Sequence, residues 1–382
     1  MNLRRRQITG LASIFCMCLA GWLVLTVAGC DSDSQAEEPR PDGTVAEGEE
    51  PGAKANEWSL SEQPGSFVRD PAVSRAGGVV CFNIERYDRE ARRMESGGCW
   101  MLNTATGEMV DLQKALLESV ELPGLLGVLA RPSADGKHVV LIAVRRAHGM
   151  SQTAYLLPAA GGEARKLADG RVLTAAWSQE KLYIGGVGMK GETAAVEAYD
   201  PAGDEPTELP VRGLVMHAAP GGEYLIAACD ASDPSRVVSG EELGELTLCA
   251  VSADGEVLGE LGPSDEVGGA ELSPDGRRIA IQRQRWHDDG PPDMLGTRIS
   301  SLPDGEVVRD VKEHMPVAVL NDGSLIAVVP DEGGAGATIQ RIGPDGKRTE
   351  LAASAQAAVV GGNRLFYVPD GEPLRLRAVA LE

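Results

Sequence analysis

The feature that most constrains this chain is a pair of short phrases that alternate in fixed order along it. The clearest copy of the first is Glu271–Gln282, Glu-Leu-Ser-Pro-Asp-Gly-Arg-Arg-Ile-Ala-Ile-Gln. Ser273-Pro274-Asp275-Gly276 has turn chemistry: Pro274 presets φ, Asp275 can hydrogen-bond its own backbone, and Gly276 accepts φ > 0. Arg278–Gln282 then reads as a mostly buried strand, so the phrase predicts strand, tight turn, strand. It returns at Ser133–Leu141 and Ala219–Ala227, and more weakly from Arg75, Ser178, Asn321 and Val360. The second phrase is a Gly turn followed by a short strand ending in an aliphatic. It spans Gly107 to Leu112, Gly162 to Leu167, Gly203 to Leu209, Gly255 to Leu261, Gly305 to Val311 and Gly346 to Leu351. Alternation at a period of about 40–58 residues defines units of four strands, A-turn-B then C-turn-D, which is the size and pattern of a propeller blade.

The expected fold class is therefore all-β, a β-propeller of four-stranded blades. The blades fall at about 67–112, 124–167, 171–209, 213–261, 266–311 and 314–351, with a seventh from near Gln356. The seventh has no closing phrase after its third strand, Leu374–Leu381, and three strands would leave an exposed edge. Glu57–Glu62, with Trp58 and Leu60, is expected to supply the fourth strand and close the ring. Seven blades is the preferred count, with six or eight as the alternatives that a degenerate third blade leaves open. Composition agrees: Gly 47 and Pro 23 suit many tight turns, and 4% aromatics leaves a core of Val, Leu, Ile and Ala.

The N-terminal region follows a different logic. Arg4-Arg5-Arg6, an apolar run from Leu11 to Ala28 and small residues before Cys30 make a secretory signal. A membrane-spanning helix is the rival for that run. Val27-Ala28-Gly29-Cys30 resembles the lipobox of bacterial lipoproteins. That resemblance implies cleavage before Cys30 and acylation of Cys30, an anchor of more than one buried chain. Residues 1–29 are expected to be signal peptide, 30–57 the lipidated Cys with a disordered acidic tether reaching roughly 30 Å, and 58–382 the propeller. The expected location is the bacterial cell envelope, facing the periplasm or the exterior. Asp31 resembles a retention signal for the inner membrane. The formal charge is −21, and more negative once Arg4–Arg6 are removed. Such a chain repels nucleic acid, so no nucleic-acid partner is expected.

Leu272-Ser273-Pro274-Asp275-Gly276-Arg277-Arg278-Ile279-Ala280 resembles the WD-repeat-like blades of the TolB family of periplasmic propellers. The resemblance covers 67–382 as architecture; its motif is structural and implies no catalytic residue. No Gly-x-Ser-x-Gly elbow occurs, and no cofactor or metal is expected. Four cysteines lie in the propeller. Repeat alignment sets Cys81 and Cys99 on strands B and C of blade one, and Cys229 and Cys249 on the matching strands of blade four. With an oxidising compartment this predicts disulfides Cys81–Cys99 and Cys229–Cys249. Thiol-bound metal is the rival, without Cys-x-x-Cys spacing to support it.

The longest connections join strands B and C, at Arg86–Gly98, Arg145–Met150, Asp230–Glu245 and Arg283–Gly296, and alternate loops of a propeller share one face. The candidate partner-binding residues are thus Arg92, Arg93, Arg146, His148, Arg285, Trp286 and His287, a basic set on an acidic protein suited to a partner bearing carboxylates. For each the plainer reading is a solvated loop or local packing; His287 beside Asp288 and Asp289 is more simply a turn than a metal site. The functional reading is a membrane-anchored, non-enzymatic scaffold that binds another envelope protein or polymer. The alternative is a propeller enzyme of hydrolase, lactonase or lyase type at the channel mouth, although only five His occur.

Overall fold

The computed structural model describes residues 56–63, 66–88, 93–146, 150–203, 205–287, 290, 292–312, 315–330, 337–370 and 373–381. These form seven four-stranded antiparallel sheets arranged as blades, each running from an innermost strand A to an outermost strand D. The first strand, β1 (Asn56–Ser61), belongs to the last blade. Blade one is β2 (Ser66–Val73), β3 (Val79–Asp88), β4 (Arg93–Asn103) and β5 (Met109–Asp111); blade two is β6 (Leu125–Pro132), β7 (His138–Arg146), β8 (Met150–Pro158) and β9 (Arg165–Gly170). Blade three is β10 (Val172–Trp177), β11 (Leu182–Val187), β12 (Thr193–Tyr199) and β13 (Thr207–Arg212); blade four is β14 (Leu214–Ala218), β15 (Tyr224–Cys229), β16 (Thr247–Ser252) and β17 (Val257–Pro263). Blade five is β18 (Val267–Leu272), β19 (Arg278–Arg285), β20 (Asp293–Ser301) and β21 (Val307–Val311); blade six is β22 (Met315–Val319), β23 (Leu325–Pro330), β24 (Ala337–Ile342) and β25 (Arg348–Ala352). Blade seven is β26 (Ala355–Gly361), β27 (Arg364–Pro369) and β28 (Leu374–Ala380), completed by β1.

The expected closure is present. β1 runs antiparallel to β28, with Trp58 opposite Leu376. Leu60 is buried among Phe366, Val368, Leu374 and Leu376, and the Glu57 carboxylate bridges Arg375 and Arg377. One element was not anticipated, the helix α1 (Leu112–Ser119) between blades one and two. Asp111 caps it by accepting the Lys114 N–H at 2.9 Å. Leu112 and Leu116, four apart on one helix face, are fully buried against Cys99 and Met101.

The core is not a single mass but a set of seams. Separate apolar clusters fill each of the seven blade-to-blade boundaries, from the seam of blades one and two around Leu141 and Leu157 to the seam of blades seven and one around Phe82 and Phe366. Strand B carries a continuous buried run in each blade and is wholly buried in β11 and β15, because it packs on neighbouring blades through both faces. Aliphatics suffice for these thin seams, which is why so few aromatics are needed.

Candidate functional site

The repeated turn is built the same way wherever its residues allow. Ser273 Oγ donates to Asp275 Oδ1 at 2.7 Å and accepts the Arg278 N–H at 2.9 Å, while Asp275 accepts the Arg277 N–H at 3.0 Å. Ser133, Asp135, Lys137 and His138 repeat the arrangement at 2.7, 3.0 and 3.0 Å. The motif is thus a fastening between strands A and B, and its polar atoms are occupied. Neighbouring A–B turns are also tied to one another. Gly362 N–H donates to the Arg75 carbonyl at 2.7 Å, Ala76 to Ala134 at 3.2 Å and Gln179 to Pro220 at 2.8 Å, and Asp275 donates to Asn321 Oδ1 at 3.0 Å. Gly276, at φ +74°, presses on blade four so closely that a Cβ there would lie 2.5 Å from Pro220 Cδ. These bonds make a stiff rim around one end of the channel.

The opposite end carries the B–C loops. Arg146 and Arg285 are exposed at strand ends, Trp286 is half-buried, and His287 is exposed with Nε2 2.8 Å from Asp293 Oδ2. Arg93 stands opposite Asp88 in the backbone register where the B–C loop of blade one begins. Cys30, Arg92, His148, Asp288 and Asp289 lie outside the described residues. Much of the basic charge near this end is met locally: Arg86 by Glu95, Arg145 by Asp169 at 3.9 Å, Arg283 by Asp310 at 3.4 Å, and Arg236 by both Asp230 and Glu242 at 2.7 Å. The blade-four loop is folded down rather than free. Val238 and Thr193 exchange bonds of 2.8 and 3.0 Å, and Leu243 and Leu246 are buried against blades three and four. Apolar side chains are left in water at the same end: Tyr87, Met94, Leu126, Met189 and Val237 are 46–60% exposed.

The expected disulfides are not formed; Cys81, Cys99, Cys229 and Cys249 are buried free thiols. Repeat alignment put each pair on the right two strands but did not give the register. Cys81 faces Met101 and Cys99 faces Asn83; likewise Cys229 faces Thr247 and Cys249 faces Ala227. Each pair is therefore a diagonal one, with Cα atoms about 7–8 Å apart by ordinary sheet geometry, beyond the usual disulfide span of about 6.8 Å. Burial pushes the Cys81 thiol up to about 12 and Cys99 well above its usual value. A thiol–thiol hydrogen bond with Cys249, reinforced by burial, likewise raises Cys229. These are packed, unreactive side chains.

The site that sequence reasoning missed is inside the channel. A cavity of about 420 Å³ is walled by the inner strands of six of the seven blades. Arg131, His217 and Glu271 line it, each two residues before the first residue of its turn, namely Ser133, Ala219 and Ser273. They occupy one repeat position and so form one layer. Arg75, the second residue of its own turn, adds a fourth ionisable group at the rim. Arg131 is held from behind: Trp177 Nε1 donates to its carbonyl at 3.0 Å, and Arg131 Nη1 donates to the Ala130 carbonyl at 3.0 Å. His217 Nε2–H donates to the Ala270 carbonyl at 2.6 Å. Burial, with Arg131 and Arg75 nearby, outweighs that bond and keeps the imidazole below its usual value, so it is neutral. Burial pushes Glu271 up to about 8, only partly offset by Arg131, so its carboxyl is protonated at neutral pH. Asp70, in left-handed backbone at φ +50°, turns its carboxylate to Asn83 Nδ2 at 3.3 Å. The signal was in the sequence: Arg, His and Glu recur at one repeat offset in blades two, four and five.

No family model matches the chain, and no curated protein matches it. Solved structures do. The β-propeller domain of the Trilobed protease from Pyrococcus furiosus is 12% identical at TM-score 0.50, over 85% of this chain and 97% of that domain. Pyrococcus horikoshii acylaminoacyl peptidase is 16% identical at TM-score 0.50, over 83% of this chain but only 52% of its own. A TolB candidate from Agrobacterium tumefaciens is 16% identical at TM-score 0.41, over 65% of this chain and 82% of its own. What is shared is the propeller fold. The chain spans about half the length of the acylaminoacyl peptidase. The Trilobed protease domain is described as having an open velcro topology, whereas here β1 closes the last blade onto β28.

Proposed function

We propose that this chain is a lipid-anchored protein of the bacterial envelope, facing the periplasm or the exterior, whose propeller binds another envelope protein through its B–C end without transforming it. The observation that supports this best is that exposed apolar side chains lie at strand ends and loops of that end in four blades: Tyr87, Met94, Leu126, Met189 and Val237. Exposed apolar and aromatic side chains interspersed with arginines are the composition of protein-docking surfaces. Arg146 and Arg285 lie among them, and an acidic tether from 30 to 55, ending where β1 begins, would hold this surface clear of the membrane.

The test compares two full-length baits on detergent-solubilised envelope: the natural chain, and one carrying Arg146→Glu, Met189→Asp, Val237→Asp and Arg285→Glu. A partner retained by the first and lost by the second is expected, with unchanged unfolding midpoints. Equal retention by both baits defeats the assignment to this end. The alternative reading, a propeller enzyme, draws on Glu271 and His217 in the channel; a hydrolysed peptide or lactone whose turnover vanishes in Glu271→Gln would favour it.

A further inference from the structure

The channel wall carries two arginines, Arg75 and Arg131, that no carboxylate pairs. Many arginines on the blades meet a carboxylate within 4 Å, but among the described residues neither Arg75 nor Arg131 makes a salt bridge. Arg75 is also incompletely satisfied: its Nη1 is buried without a hydrogen-bond partner. A half-buried guanidinium with a buried, unused donor is costly, and the cost is relieved by an anion that accepts from it. The nearest internal acids do not serve. Glu271 retains its proton to about pH 8, and Asp70 is turned to Asn83.

We infer that this end of the channel is a binding site for the carboxylate of a small organic acid, gripped by the guanidinium groups of Arg75 and Arg131. Planar guanidinium groups match a carboxylate in paired hydrogen bonds. The rest of the wall tells what the carboxylate is attached to. Leu129, Ala176, Trp177, Val215, Met216 and Leu272 line the same cavity, and they would bury an apolar body that a bare inorganic anion lacks. The volume of about 420 Å³ suits a ligand of a few carbon atoms up to a short peptide end. The Glu271 carboxyl, while protonated, adds a donor to the layer. The groups facing it are Arg131 from blade two, His217 from blade four, and Arg75 and Asp70 from blade one. When Glu271 ionises it becomes a counter-anion to Arg131 and competes with the ligand.

Calorimetric titration of the full-length chain tests this with glutarate, its neutral analogue glutaramide, inorganic phosphate, and acetyl-trialanine with a free or an amidated C-terminus. Saturable binding of glutarate or of the free-acid peptide is expected, and whichever binds identifies a free acid or a chain terminus as the source. Glutaramide and the amidated peptide are expected not to bind. Arg75→Gln and Arg131→Gln should each weaken affinity about tenfold or more, with thermal unfolding confirming that each variant is folded. Arg75→Gln removes an unsatisfied donor from a half-buried turn at the rim and keeps the test usable if Arg131→Gln fails to fold. Affinity should fall as pH rises from 7 to 9, and Glu271→Gln should flatten that fall. No saturable binding from either source, unchanged affinity in the folded arginine variants, or phosphate binding as tight as the organic acid would overturn the inference.

Discussion

Ser273 holds its turn with one hydroxyl, donating to Asp275 and accepting from the first residue of β19, while only 1% exposed. Ser273→Ala leaves the Arg278 N–H without its partner behind the turn, while the exposed Asp275 carboxylate turns to water. The expected cost is about 1–3 kcal/mol, read as a lowered urea midpoint with an unchanged slope. The same residues explain what was readable one side chain at a time. Pro274, Asp275 and Gly276 announce their turn because local backbone chemistry alone dictates it. Arg131, His217 and Glu271 announce nothing locally. Each looks like one polar residue in an inner strand, and their meaning depends on sharing a layer with residues about 50 to 140 positions away.

Among elements, β1 has the most consequential placement. It lies more than 300 residues from its partner β28 in sequence, and it is legible only because the seventh blade otherwise ends one strand short. Replacing Trp58 and Leu60 together by Ser should detach it. Leu60 is buried, and Trp58 packs near Phe366 with ring centroids 6.3 Å apart. We expect a loss of about 3–5 kcal/mol and, because β28 then presents a free edge, self-association visible by size-exclusion chromatography. A monomer with an unaltered midpoint would show that β1 is dispensable. The thiols mark the limit of element-level reading. Repeat alignment places Cys81 and Cys99 on adjacent strands, but a shift of two residues in register decides between a covalent pair and two free thiols, and bulges such as that between Asn83 and Glu85 set the register. Helix α1 was missed for a related reason: its apolar face is one turn-spacing long, Leu112 and Leu116, too short a signal to separate from a linker.

For the whole molecule, the closed ring creates two ends with different characters. One is a rim of hydrogen-bonded turns around a charged layer; the other is a crown of loops with apolar side chains in water. The proposed anchor adds a third term, orientation towards a membrane, and is tested by labelling cells with an alkyne fatty acid. Label in the natural chain, no label in Cys30→Ala, and transfer of that variant from the membrane to the soluble fraction are expected; label surviving in Cys30→Ala would overturn it. The sequence by itself determined the all-β class, the four-stranded blades and the strand that closes them, and favoured seven blades, because turn chemistry and strand patterning act over a few residues and repeat along the chain. The tertiary structure alone decided which polar groups share the channel, which arginines go unpaired and which strands stand two residues out of register. Those depend on closing the ring, which brings side chains from blades one, two, four and five to one level and removes the water that would otherwise have made each of them ordinary.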